Sequence, residues 1–155
     1  MVGKTLKIIS GGQTGVDRAA LDAAMANHSP CGGWCPTGRK AEDGRIPDLY
    51  PLTELENGGY RQRTLRNLTE SDGTVVIYFE HAQGGTRLTL DSCDKYQIPC
   101  LAIDGAQLTV EQAAEQITAF ITEQGIKVLN VAGPRASGHV DAYRYAFEVI
   151  AMVLS

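Results

Sequence analysis

The sequence is poor in cysteine and aromatic residues, has a single tryptophan, and contains no long apolar run. Each shortage removes a class of protein. No stretch approaches the ~20 consecutive apolar residues of a bilayer-spanning helix, so no membrane segment is expected. Met1-Val2-Gly3-Lys4-Thr5 leads straight into a strand-like run and lacks the form of a signal peptide, so the protein reads as cytoplasmic. Cys31, Cys35, Cys93 and Cys100 are too few for a disulfide scaffold in 155 residues, and the cytosol would keep them reduced. Cys31 and Cys35 have a spacing that could bind metal, but His28, His81 and His139 are scattered and complete no tetrahedral set. Ordinary thiols are therefore preferred over a zinc site. Charge is nearly balanced, at a net −4, which favours neither nucleic acid nor an acidic membrane as a partner. Repeats, linkers and low-complexity segments are missing as well. With 43% hydrophobic and 21% charged residues, 155 residues read as one globular domain with a substantial core.

Glycine, by contrast, is plentiful and sits at telling places. The run Leu6-Lys7-Ile8-Ile9 breaks at Ser10-Gly11-Gly12, and an alanine-rich helical pattern follows from Val16. Gly11 and Gly12 allow a sharp turn and a close approach to a ligand, because no Cβ intervenes. Gln13 or Thr14 is placed to cap the helix, and the unpaired N–H groups of its first turn would attract an anion. The spacing Gly-Gly-Gln-Thr-Gly matches neither a Walker loop nor the G-x-G-x-x-G fingerprint. Asp17, in the first helical turn, reads as structural and favoured by the helix dipole.

Further along, Cys31-Gly32-Gly33-Trp34-Cys35 reads as a short strand between Pro30 and Pro36. The segment 36–54 has no period; Trp34, Ile46, Leu49, Tyr50 and Leu52 would pin it, leaving Arg39, Lys40 and Arg45 on display. Glu42 and Asp43 on that basic loop read as salt-bridged. A helix is expected over 60–69, with Arg63 and Arg66 sharing a face. Thr74–Phe79 is the clearest central strand, and it runs into a second Gly-Gly-Thr junction at 84–86 before another helix. A strand over 95–103 follows, with Pro99 near its start, then a helix from Thr109 in which Gln112 holds the capping-box position. A strand over 126–132, a loop at 133–138 and an amphipathic helix from about Val140 to Leu154 complete the chain. This alternation predicts an α/β, Rossmann-like fold, an open and mainly parallel five-stranded sheet with helices on both faces. Loops 10–15, 83–87 and 133–138 would then converge on one sheet edge and favour a phosphate- or oxyanion-bearing ligand. The last helix, with Tyr143, Ala146, Phe147, Ile150 and Val153, would have apolar surface left for a homo-oligomeric contact.

Gly11–Asp22 and Gly33–Gly44, joined by Ser71-Asp72-Gly73-Thr74, Gly84-Gly85-Thr86 and Asn130–Arg135, resemble the molybdenum carrier proteins, also called molybdenum-cofactor carriers. These belong to a wider Rossmann-like group with the LOG-type, lysine-decarboxylase-like proteins, and the resemblance covers nearly the whole chain. It implies a homo-oligomer, a dimer or tetramer, that holds molybdenum cofactor (molybdopterin) and serves molybdoenzyme recipients. Molybdate and nucleotides are the other small anionic candidates. Oxyanion contacts would fall to Gly12, Gln13, Thr14, Gly15, Gly85, Thr86 and Arg135, with Thr37, Arg39 and Lys40 flanking and Gly11, Gly84, Gly133 and Ser137 completing the loops.

Two alternatives come from other classes. A nucleotide-sensing module would use the same loops and stack a base near Trp34 or Tyr50. A LOG-type phosphoribohydrolase would need the glutamate of P-G-G-x-G-T-x-x-E, and Thr89 stands there instead. A hydroxyl cannot replace that carboxylate beside an oxocarbenium-like centre, so hydrolysis would need a displaced acid such as Glu42 or Glu80. No catalytic residue is assigned.

Overall fold

The computed structural model describes residues 5–155; the first four residues, and the leader expectation that rests on them, lie outside it. Nine strands and five helices follow in order: β1 (Lys7–Ile9), α1 (Val16–Ala26), β2 (Cys31–Gly32), β3 (Trp34–Cys35), β4 (Lys40–Ala41), β5 (Gly44–Arg45), β6 (Thr53–Glu54), α2 (Tyr60–Thr69), β7 (Gly73–Tyr78), α3 (Gly84–Tyr96), β8 (Cys100–Asp104), α4 (Val110–Gln124), β9 (Val128–Ala132) and α5 (Ala142–Leu154). Five strands form the main sheet, all parallel, in the order β2-β1-β9-β7-β8. β1 crosses outward to β2 and β7 crosses outward to β8, so β9 fills the centre where the winding reverses. Such a reversal leaves a crevice beyond the carboxyl ends of the strands.

The two faces of the sheet differ. Ile8, Val75, Ile77, Leu129 and Val131 face a dense apolar layer made by α1, α4 and α5. Side chains alternate across a strand, so Thr74, Val76 and Asn130 belong to the other face, under α2 and α3. That face is more polar: Asn130 donates to Thr74 within it, and Thr64, Asn67, Thr86, Thr89 and Ser92 are buried on its helices. Buried polar side chains are tolerated because they find partners, as Thr89 does at the Gly85 carbonyl.

The second expected strand is in fact two. Gly33 has φ +128°, and a Cβ there would meet the Ser10 carbonyl oxygen at 2.1 Å. The chain turns away at this glycine, and β3 pairs with β6 outside the main sheet. Between them, segment 36–54 folds into a 3-10 turn and the β4–β5 hairpin. Ile46 and Tyr50 pin it by packing with Leu21 and Cys35, and Leu52 packs against them. Leu49, expected to help, is 64% exposed, because the pinned neighbours leave it on the outer side. In α5, Ala146, Ile150 and Val153 are core rather than spare surface, whereas Tyr143 remains half-exposed and stacks with Phe147.

Among the described residues, no helix is long and apolar enough to cross a membrane. The same residues hold no cluster of His, Cys, Asp and Glu fit for a metal, and all four cysteines are free thiols.

Candidate ligand cleft at the sheet's carboxyl edge

A cleft of about 590 Å³ opens where β7 and β9 end. Tyr78, Phe79, Ala132 and Gly133 form its floor. Gly133 has no room for a side chain, since a Cβ would lie 2.6 Å from the Ile77 carbonyl oxygen. The first turns of α2 make one wall, with Tyr60, Arg61, Arg63 and Thr64. A second wall is the start of α3, where Gly84 and Gly85 leave open space wherever a Cβ would stand. The N-cap Gln83 supplies no side-chain bond to that helix end, so its dipole faces the cleft uncapped. The third wall is the loop after β9, with Arg135 lying over the Tyr60 ring at 5.3 Å. His139 closes it, stacked on Phe79 with ring centroids 3.9 Å apart.

Arg61, Arg63 and Arg135 bring three positive charges to a cleft whose only lining carboxylate, among the described residues, is Asp17. Asp17 is 4% exposed and pairs with Arg63 at 3.2 Å. Burial pushes its carboxyl above the usual carboxylate range, and the Arg63 guanidinium and the Gln13 N–H draw it back. Arg63 lies across Gly11, where a Cβ would meet its guanidinium nitrogen at 1.8 Å. Two buried polar atoms on lining residues have no partner: the acceptor Gln13 Oε1 and the donor Arg63 Nε. Unpaired buried groups of this kind are uncommon in folded proteins and often mark function.

The three glycine loops do meet, though not as open helix ends throughout. In the first loop the N-cap is Gly15, and neither Gln13 nor Thr14 caps α1. Instead Val16 N–H donates to the Pro134 carbonyl and Gln13 N–H to Asp17 Oδ2, so the chain itself fills the nest. Gly15, at φ +80°, admits this contact, since a Cβ would lie 2.4 Å from the Pro134 oxygen.

Of the expected site residues, Gln13, Gly84, Gly85, Thr86, Gly133, Arg135 and Ser137 line the cleft. Gly11, Gly12 and Gly15 lie behind it as packing glycines, and Thr14 turns outward to Glu42 and to the Ala136 N–H. Thr37 is spent within its own segment, on Leu55 and Gly58. Lys40 is exposed, and its carbonyl accepts from Gln13 Nε2 at 2.8 Å. Arg39, expected on display, points inward: its guanidinium donates to the carbonyls of Ile46, Pro47, Tyr50 and Leu52. Those carbonyls lie in a pinned loop that lacks a sheet partner for them, which draws the arginine in. Asp43 does pair with Arg18, at 2.5 Å, but Glu42 bonds Ser137 and Thr14 rather than a basic side chain. Asp17 bonds the first loop and α2.

Sequence reading missed Tyr60, Arg61, Thr64, Tyr78, Phe79, His81 and His139 as cleft residues, and noted Arg63 only as a helix-face partner of Arg66. The two arginines in fact diverge, with Arg63 on Asp17 and Arg66 over the Trp34 ring at 4.1 Å. The available signal was three arginines in the first two turns of a helix that precedes the central strand.

Fold and site together define an α/β protein with an arginine-lined cleft beyond the carboxyl ends of parallel strands. The model of the circularly permutated YpsA SLOG family matches residues 8–154, and the chain belongs to that family. A solved structure from Syntrophus aciditrophicus SB, described as a "Putative molybdenum carrier protein", is similar throughout. It is 44% identical, with a TM-score of 0.93 over 96% of this chain and 94% of that one. No curated protein matches.

Proposed function

We propose that the cleft binds molybdenum cofactor and that the protein carries it. The observation that supports this most is electrostatic. Three arginines and an uncapped Gly84-Gly85 helix start face a space of about 590 Å³ in a chain whose net charge is −4. The cofactor's phosphate and its metal-bound oxo groups are the kind of charge such donors hold. Gln13 Oε1 would accept from the pterin's ring N–H and amino groups, and Arg63 Nε would donate to an oxygen. The volume lies within the range of small-ligand sites. We further propose one domain, a homo-oligomeric state, a cytoplasmic setting and molybdoenzyme recipients.

A nucleotide is the second reading, favoured by Tyr60, whose ring stands 40% exposed at the cleft mouth. Trp34 and Tyr50 offer no base platform there, because neither lines the cleft. Neither Glu42 nor Glu80 lines the cleft, so a displaced acid for hydrolysis has no support from them.

Thermal unfolding against molybdenum cofactor, molybdate, AMP and ATP tests the proposal. A ligand at about 100 times its dissociation constant stabilises by about 2.7 kcal/mol, a rise of several degrees. The cofactor should raise Tm in the wild type and much less in Arg61→Ala, a substitution at an exposed position. A rise with nucleotides alone would replace the carrier reading by the nucleotide one, and no rise with the cofactor would sink it.

A further inference from the structure

Glu42 stands at the tip of the β4–β5 hairpin, and its carboxylate is seated where the first and third glycine loops touch. Ser137 Oγ donates to it at 2.5 Å, Ser137 N–H at 3.2 Å, and Thr14 Oγ1 as well. Thr14 Oγ1 itself accepts from the Ala136 N–H at 3.1 Å, which aims its hydroxyl proton at Glu42. These donors, with Arg135 nearby, hold the Glu42 carboxyl below its ordinary range although the side chain is exposed. An exposed glutamate is ordinarily solvated and mobile. Here it is gripped by segments 28 and 95 residues away in the chain, one of them a wall of the cleft.

We propose that this rim is an oxyanion site with Glu42 as its built-in occupant, displaced by the tetrahedral anionic group of an incoming ligand. The inference deepens the ligand-cleft reading and rests on an anion reaching that cleft. Its ligand class is a tetrahedral oxyanion, as a free ion or as a phosphate monoester. Ser137 is shared: it lines the cleft and also donates to Glu42 from the adjoining rim, with Arg135 beside it, so an anion at that end of the cleft competes with Glu42 for Ser137. Displacement also has a route into the hairpin. Gln13 is 3% exposed, lines the cleft, and its amide grips the Lys40 carbonyl at the hairpin's base while its own oxygen lacks a partner. Gln13 therefore links the cleft directly to the base of the hairpin that carries Glu42.

Equilibrium binding of inorganic phosphate, molybdate and methyl phosphate to folded variants tests the proposal. Glu42→Ala empties the cradle, whereas Glu42→Gln makes the same charge change but leaves an amide that Ser137 N–H still holds. If the cradle is vacant about a tenth of the time in the wild type, Glu42→Ala should bind about tenfold tighter. Glu42→Gln should gain distinctly less, and Ser137→Ala added to Glu42→Ala should reduce the gain, because the Oγ donor is lost while the backbone N–H stays. Equal gains in Glu42→Ala and Glu42→Gln would mean long-range charge relief and overturn the proposal. So would no gain in Glu42→Ala, or a gain undiminished by Ser137→Ala. A gain for methyl phosphate alone assigns the site to an ester, and one shared by molybdate assigns it to free oxyanions. These probes need no pterin, so the cofactor reading and this one fail separately.

Discussion

Arg39, just before β4, and Glu42, at the hairpin tip, sit three residues apart and do opposite things. Arg39, with only 8% exposure, spreads its guanidinium over four backbone carbonyls of its own loop, while Glu42 reaches across to other segments. Charge type alone suggested the reverse, a displayed arginine and an ion-paired acid. What decides is the supply of unpaired backbone groups. Carbonyls in a non-repetitive loop need donors, and a planar five-donor fork meets several at once. Arg39→Ala should therefore cost at least about 2 kcal/mol, given ~1–3 kcal/mol for each buried group left unpaired. Arg39→Lys should rescue little, because an ammonium cannot span the four oxygens. Urea unfolding of both variants checks this, and stabilities within about 0.5 kcal/mol of wild type would refute it.

At the scale of elements, local rules worked where partners lie close in sequence. Thr109 and Gln112 form the expected capping box on α4, with Gln112 N–H donating to Thr109 Oγ1 at 3.1 Å and Thr109 N–H to Gln112 Oε1 at 2.9 Å. The helix closes at Gly125, whose φ of +63° is open to glycine at little strain. Thr109→Ala should cost about 1 kcal/mol and lower Tm by roughly 2–4 °C, seen in thermal melts. The start of α1 shows the limit of the same rule. Thr14 is correctly placed in sequence to cap, yet Gly15 takes the position because the Pro134 carbonyl, 120 residues on, already claims the Val16 N–H. Likewise a strand expected over 31–35 divides at Gly33, since only a side chain-free residue passes Ser10 so closely.

On the scale of the whole molecule, the parallel order β2-β1-β9-β7-β8 gathers positive charge at one edge of an acidic protein. An anionic ligand approaching that cleft is steered by a local field opposite in sign to the net charge. Its association rate should fall as salt rises from about 10 mM to about 150 mM, where the screening length shrinks from ~30 Å to ~8 Å. Stopped-flow binding of the ligand that raises Tm would measure it, and a rate indifferent to salt would exclude steering by Arg61 and Arg135. The alternation of strand and helix, the capping box and the glycine junctions were determined by the sequence itself, because periodicity and turn chemistry act within a few residues. Those features sufficed for the parallel α/β class and for the Gly84-Gly85 and Gly133 junctions that line the cleft. Only the tertiary structure decided that α2 lends Arg61 and Arg63 to the cleft, that Arg39 turns inward, and that Asp17 and Glu42 take their hydrogen bonds from loop N–H groups of the chain itself. Each of those outcomes is a competition among donors and acceptors far apart in sequence, and folding alone brings the competitors together.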